Sequence, residues 1–378
     1  ARGNFVPWQP RYDEPIDRLA VGVVSADFNI KPVGQLVRSV FGMIEKSRFQ
    51  VFCFSLESSD GSAIVVQIAN ECEDFQIVKG FDALTIANII NAEQTHILLD
   101  ITGYTDGGRV EVGALKPAPV AVNYLALPYT YALDGYDYVL TDRIVTPPEM
   151  HSVCFVERFV MLPSPCYMVN DYRQSAAEQV KRSPINVSEA EGFGVPHRHD
   201  GRVVLANFNH LQKLGPETFG LWMRVLTSCP QCVLWLLRFP PQAEVHLRRE
   251  LEAHGVPQDA LVFTNKFAND EHIRVKGAAS VLLDTLEYNA HVSGLDALWA
   301  GLPLVTRAGS HMARRCGASF LLALGITETL ARTADEYVAV AEAVSKDRGK
   351  LESIRRKVVS GRYNGGLFDT KAWVAGFQ

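Results

Sequence analysis

The stretch VLLDTLEYNAHVSGLDALWAGLPLVTRAG, residues 281–309, reads as a strand, a tight turn, a helix and a second strand. Residues 281–283 are short and wholly apolar, as a buried parallel strand is, and Asp284 ends the run on a polar residue where a doubly wound sheet opens its ligand crevice. His291-Val292-Ser293-Gly294 then starts a helix whose Leu295, Leu298 and Trp299 recur at helical spacing. The first backbone N–H groups of such a helix have no partner inside it. Together with the helix dipole they form an anion site suited to a diphosphate. Asp296, in the first turn, is placed to accept from ribose hydroxyls. The alternative is structural: Ser293 caps a core helix and Asp296 complements its dipole.

Outward from this unit, strands and helices alternate. Toward the amino end the second half holds strands at 203–207, 233–237 and 261–264, with helices at 216–226, 243–254 and from near Asn269 to Lys276. Beyond the unit come a strand at 303–306 and helices near 311–323 and 334–346. The first half repeats the pattern, with strands at 19–24, 51–55, 95–101, 120–124 and 138–141 and helices at 34–41, 64–70 and 83–91. Its loops SADFNIKP (25–32), TGYTDGGR (102–109) and LALPYTY (125–131) follow strand ends, where doubly wound folds place function, making Asp27, Thr105, Gly107, Leu125, Pro128 and Thr130 candidates. Ordinary turns with buried tyrosines account for the last two loops equally well. Between residues 163 and 201 the pattern gives way to polar, proline-containing sequence. The expected architecture is α/β, two Rossmann-like domains facing across a cleft. Its parts are a linker at 1–16, a first domain at 17–165, a connection at 166–200, a second domain at 201–345 and a helical segment at 346–378.

Composition narrows the function. With 47% hydrophobic and 21% charged residues and a net charge of −5, the chain has the balance of a soluble globular protein without a nucleic-acid-binding face. No apolar run reaches the roughly 20 residues of a membrane span, and no signal peptide opens the chain, so a cytoplasmic or nuclear setting is expected. Seven scattered cysteines suit reduced, buried thiols. Cys229-Pro-Gln-Cys232 has redox or half-zinc spacing but no second ligand pair, so it reads as structural and no metal is expected. The Gly-x-Gly-x-x-Gly fingerprint, the phosphate-loop motif and the Gly-x-Ser-x-Gly elbow are all missing, which disfavours dehydrogenases, P-loop NTPases and α/β-hydrolases. A start at Ala1 and an apparent helix running to Gln378 are what a segment of a longer protein would show.

The segments VGVVSADFNIKP, ILLDITGYTDGGR, ALKPAPVAVNYLALPYT, LANFNHLQKLGPETFGLWMRVL, VLWLLRFP, DEHIR and YNAHVSGLDALWAGLPLVT resemble the catalytic region of the protein O-GlcNAc transferases and their SPINDLY-type O-fucosyltransferase relatives. The likeness runs in matched order from Leu19 to about Phe368. It implies the GT-B fold, a metal-independent inverting transfer, no cofactor beyond a nucleotide-sugar donor such as UDP-GlcNAc, and protein or peptide acceptors. It also implies tetratricopeptide repeats outside this segment. By the same resemblance Lys213 contacts the diphosphate, His210 stands where a glutamine is usual, His272 lies beside the uridine, His291 near sugar and diphosphate, and Asp296 on the ribose. Ser293 replaces a threonine. A cation at Lys213 stabilises charge developing on the leaving diphosphate.

The departures bear on activity. Lys31 takes the place of a histidine in the Asp-Phe-x-x-His-Pro loop, and a lysine with an ordinary pKa is protonated near pH 7, so it serves as a charge clamp unless strongly perturbed. Val292 replaces a hydroxyl residue, Asn269 a ribose-contacting lysine and Val275 an arginine near the uracil. Tyr288 stands where a small cysteine lines the N-acetyl pocket. The leading expectation is transfer of GlcNAc from UDP-GlcNAc to Ser or Thr. The alternatives are a silent nucleotide- or protein-binding paralogue and a transferase using UDP-glucose or GDP-fucose.

Overall fold

The computed structural model describes residues 5–10, 15–163, 165–181, 185–197, 201–268 and 271–378, with Ser152 described by its backbone alone. The described residues divide into two compact units. The first comprises residues 1–174 and Asp369–Gln378, the second Ser175–Phe368.

In the first unit one parallel sheet contains β1 (Leu19–Ser25), β2 (Phe49–Ser55), β3 (Asp74–Ile77), β4 (Ile97–Asp100), β5 (Val120–Asn123), β6 (Tyr138–Thr141) and β7 (Arg158–Met161). Their spatial order is β3-β2-β1-β4-β5-β6-β7. The chain moves from β1 through β2 to β3 on one side, then crosses to lay β4 against the other side of β1, pairing Val24 with Asp100. That reversal opens a crevice at the carboxyl ends of β1 and β4.

The second unit repeats the device. Strands β8 (Val203–Asn207), β9 (Cys232–Leu237), β10 (Leu261–Thr264), β11 (Val281–Leu283), β12 (Leu304–Arg307) and β13 (Leu330–Ala331) lie in the order β10-β9-β8-β11-β12-β13, all neighbours parallel. Its switch point falls between β8 and β11. Every residue of β8, β9 and β11 is buried, because helices cover both faces of a parallel sheet and leave these strands continuously apolar. Trp222, Trp235 and Trp299 are wholly enclosed, and Trp299 donates its indole N–H to the carbonyl of Ala176 at 3.0 Å.

Three strands, β3, β7 and β13, are not anticipated by periodicity. β3 and β7 are sheet edges whose residues are half-buried or exposed, and β13 has two residues. None presents the buried run by which the others are recognised. The stretch expected as a connection, 166–200, is divided at Gln174/Ser175 and carries short helices at Tyr172–Ser175, Ala177–Lys181 and Val187–Gly192. The segment expected as a separate helical piece, 346–378, is likewise split. The helix Arg348–Asn364 stays with the second unit, while Thr370–Phe377 returns to the first. There Trp373 stacks on Tyr124 and donates to the carbonyl of Tyr167 at 3.0 Å, and the Thr370 hydroxyl donates to the carbonyl of Asn170 at 2.7 Å. Within the expected linker at 1–16, Phe5 is buried and Trp8 packs edge-on to His96. Among the described residues no helix is long and apolar enough to cross a membrane.

Candidate functional site

The loops leaving β8 and β11 meet at the switch point of the second unit. Asn207, the last residue of β8, donates its amide to the carbonyl of Leu283, and its side-chain oxygen accepts from the N–H of Asn209 at 3.0 Å. Asn209 in turn donates to the Thr285 hydroxyl at 2.8 Å and accepts from the Ser293 hydroxyl. Thr285 donates to the carbonyl of Tyr288 at 2.6 Å, and the Asn289 amide reaches back to the carbonyl of Thr285 at 2.8 Å. These bonds pin the 285–291 turn before any ligand arrives.

Two ionisable groups bond to that turn. Asp284 is fully buried, accepting from the N–H of Ala290 at 2.7 Å and from the Thr306 hydroxyl at 2.6 Å. Burial raises its pKa to about 7, against the pull of those hydrogen bonds and of Lys213. Lys213, at the end of the short turn Leu211–Lys213, donates to the carbonyl of Asn289 at 3.2 Å and lies 4.2 Å from the centre of the Tyr288 ring. Burial lowers its pKa to about 8, partly offset by Asp284. A half-buried ammonium on a fixed turn is a cation held ready for an anion.

His291 caps the helix Val292–Trp299 and is itself buried, its ring 4.6 Å from that of Tyr288. Burial and nearby Lys213 hold its pKa well below the usual histidine value, so it is neutral at pH 7. Among the described residues its Nε2 finds no hydrogen-bond partner. His210 lies beside Lys213 and Lys266, its Nδ1 accepting from the Gln212 N–H at 3.1 Å. At Gly294 a Cβ would fit tightly, 3.2 Å from the Cβ of Ala290 and 3.4 Å from Phe320.

Asp296 is not the solitary acceptor its place in the first turn suggests. Its Oδ2 accepts from Lys276 at 2.5 Å and His272 at 3.2 Å. Burial works to raise its pKa, but Lys276 and His272 outweigh it and hold the carboxyl far below its ordinary value. Val275 is wholly buried, so its side chain faces the core. Asn269 lies outside the described residues.

At the switch point of the first unit, the Ser25 and Thr102 hydroxyls bond at 3.0 Å, tying the ends of β1 and β4 together. Asp27 is buried and pairs with the Lys31 ammonium at 3.2 Å, while Asp106 lies 3.8 Å from the same nitrogen. Burial raises the Asp27 pKa, and Lys31 opposes the rise. Lys31 is therefore a clamp between two carboxylates. Gly107 has φ +80°, and a Cβ there would stand 2.8 Å from that of Ala26. Thr105 donates its hydroxyl to the carbonyl of Thr102 at 2.8 Å, closing the same loop.

Leu125 and Pro128 are buried, and the Thr130 hydroxyl donates to Glu157 at 2.5 Å. Buried Glu157 also accepts from the N–H of Tyr131 at 2.6 Å. Neither Glu157 nor Lys276 was among the residues expected from sequence. Lys276 had a readable signal, standing four residues after His272 and so on the same helix face. Glu157 is distant in sequence and had none.

Cys229 and Cys232 are buried free thiols. Among the described residues, no group of three or more His, Cys, Asp or Glu is arranged to hold a metal ion.

The glycosyl transferase family 41 model matches residues 6–192 and 168–377. The chain is 35% identical over 362 residues to a probable UDP-N-acetylglucosamine–peptide N-acetylglucosaminyltransferase, SEC, of Arabidopsis thaliana, covering 96% of this chain and 36% of that protein. A Caenorhabditis elegans UDP-N-acetylglucosamine–peptide N-acetylglucosaminyltransferase is 29% identical, covering 94% and 40%. The chain thus spans well under half the length of these curated relatives. Among solved structures, an O-GlcNAc transferase mutant of Thermobaculum terrenum superposes with a TM-score of 0.85 at 27% identity, covering 98% of this chain and 68% of that one. The two doubly wound units are those of the GT-B class.

Proposed function

Because the chain belongs to glycosyl transferase family 41, we propose that it moves N-acetylglucosamine from UDP-GlcNAc to Ser or Thr hydroxyls of protein acceptors. The observation that carries this reading is the pairing of Lys213 with the amino end of the helix Val292–Trp299 at one switch point. A cation and a helix N-terminus together suit a diphosphate.

In this reading the second unit holds the donor. The acceptor oxygen bonds to the anomeric carbon as the bond from that carbon to the β-phosphate oxygen breaks, and the product is inverted. Lys213 and the first-turn N–H groups at Val292 and Ser293 stabilise the charge that collects on the departing diphosphate. Neutral His291, with its unpartnered Nε2, takes a hydroxyl of the sugar rather than a phosphate oxygen. The proton released by the acceptor goes to a phosphate oxygen of the donor. The first unit orients the acceptor with its 25–32 and 102–109 loops.

Lys31 then has an orienting role. Its ammonium is tied to Asp27 and Asp106 and acts as a salt-bridge donor. Lys31→Met is expected to raise the acceptor KM by about three- to tenfold, as loss of a charge-assisted contact does, with the donor KM unchanged. A kcat collapse at unchanged acceptor KM would instead assign Lys31 to the chemistry.

The direct test is incubation of the chain with UDP-GlcNAc and a mixed peptide library, read by mass spectrometry. A mass increase of one N-acetylhexosamine on Ser or Thr is expected, and loss of that product in Lys213→Ala. Absence of transfer by the native chain, at donor concentrations where binding is measured, would leave a nucleotide-binding scaffold.

A further inference from the structure

Lys276 is buried, and nothing in the family resemblance gives it a task. It ends the helix His272–Lys276, and residues 272 and 276 stand four apart, so their side chains share one face. That face meets Asp296. Both donors converge on a single carboxylate oxygen: Oδ2 accepts from the Lys276 Nζ at 2.5 Å and from the His272 Nε2 at 3.2 Å. The side chains of Lys276 and Asp296 are only 8% and 9% exposed, and the ammonium lies 5.6 Å from the centre of the Phe208 ring at the end of β8.

Stability alone is a poor reason for such a pair. Taking two charges out of water costs more than an apolar contact of the same volume, and replacing a buried pair by hydrophobic residues is often neutral or stabilising. What the pair supplies is a carboxylate that stays ionised in a buried setting and is held in one orientation. A carboxylate offers roughly four acceptor positions, and fixing Oδ2 fixes the plane in which Oδ1 is presented.

We infer that Lys276 is a positioning residue for the nucleotide's ribose, clamping Asp296 through Oδ2 so that Oδ1 receives the 2′,3′-diol. The inference rests on the proposed docking of the donor's ribose at Asp296. It makes Lys276 a determinant of the diol contact and leaves the diphosphate to Lys213 and the helix N-terminus.

Calorimetry of the whole chain with UDP and with 2′,3′-dideoxyuridine diphosphate separates these contacts. The native chain is expected to prefer UDP. Lys276→Met should weaken UDP by about tenfold while moving the dideoxy analogue little, the size expected for a charge-assisted hydrogen bond. Lys276→Arg, which keeps the cation, should recover part of the preference. Lys276→Met leaves a buried carboxylate without its cation, so the doubly substituted chain, Lys276→Met with Asp296→Asn, removes both charges and serves as the folded comparison. It should melt near the native temperature and show no preference for the diol. If Lys276→Met keeps the native preference within twofold while Asp296→Asn lacks it, Lys276 has no positioning role and the ribose still docks at Asp296. If Asp296→Asn keeps the preference, the ribose lies elsewhere and the docking itself is wrong.

Discussion

Lys213→Ala is expected to lower kcat for peptide glycosylation by about 10²–10³-fold, the loss seen when one preorganised electrostatic stabiliser is removed. UDP affinity should fall as well, because the ammonium meets the diphosphate in the ground state. A change in UDP affinity of less than about twofold by calorimetry would place the diphosphate elsewhere. The pH dependence adds a second signature. Burial brings the Lys213 pKa down to about 8, and the useful form is the cation, so kcat/KM for donor should decline as pH rises through about 8. A bound diphosphate favours the charged form, so the same limb in kcat should move to higher pH. Lys213→Arg, charged at every accessible pH, should lose the alkaline limb in both profiles.

Asp284→Ala is expected to destabilise the chain by about 3 kcal/mol, since it leaves the N–H of Ala290 and the hydroxyl of Thr306 without their acceptor in a dry interior. Urea unfolding measures this, and the near-isosteric Asp284→Asn is the companion. The folded-state pKa of Asp284 is raised to about 7. Between the ordinary carboxylate range and pH 7 the folded chain therefore binds a proton that the unfolded chain releases, and stability from this group is lost as pH rises through 7. The native chain should accordingly lose stability relative to Asp284→Asn between pH 5 and pH 8. A difference from Asp284→Asn that stays constant over that interval would show that Asp284 is ionised throughout. Both variants should also lower UDP affinity, because Asp284 holds the turn whose Asn289 carbonyl takes the Lys213 ammonium.

The second unit was readable because its strands are buried on both faces, so that residues such as Val203–Asn207 stand out as apolar runs ending in a functional loop. The same pattern pointed to the helix start at His291 and to Asp296, whereas Lys213 was singled out by the family resemblance. Edge strand β3 was invisible for the converse reason, since Asp74-Phe75-Gln76-Ile77 is largely open to solvent. Partnerships were harder to read than positions. That Asp106 joins Asp27 on Lys31, or that Glu157 holds Thr130, depends on which loops the sheet order brings together, and no local spacing encodes it. Tyr288 illustrates the difference. Its place in the chain says nothing of its neighbours, while in the structure the ring lies against Lys213 and His291, where it supplies a cation–π face worth about 0.5–2 kcal/mol.

The return of Asp369–Gln378 to the first unit sets an order of events during synthesis. Trp373 and Phe377 line an apolar cavity with Val21, Phe41, Leu99 and Tyr124, residues translated some 250 or more positions earlier. At ribosomal rates of about 5–20 residues per second, that interval is on the order of tens of seconds. The nascent first unit spends it with a tryptophan-sized piece of its core missing, whereas the second unit, contiguous from Ser175 to Phe368, has its whole sequence before the first unit receives its last segment. Of the two units, the one whose first strand is made first is the one completed last, and a chain cut before Asp369 would leave an apolar surface open on the first unit.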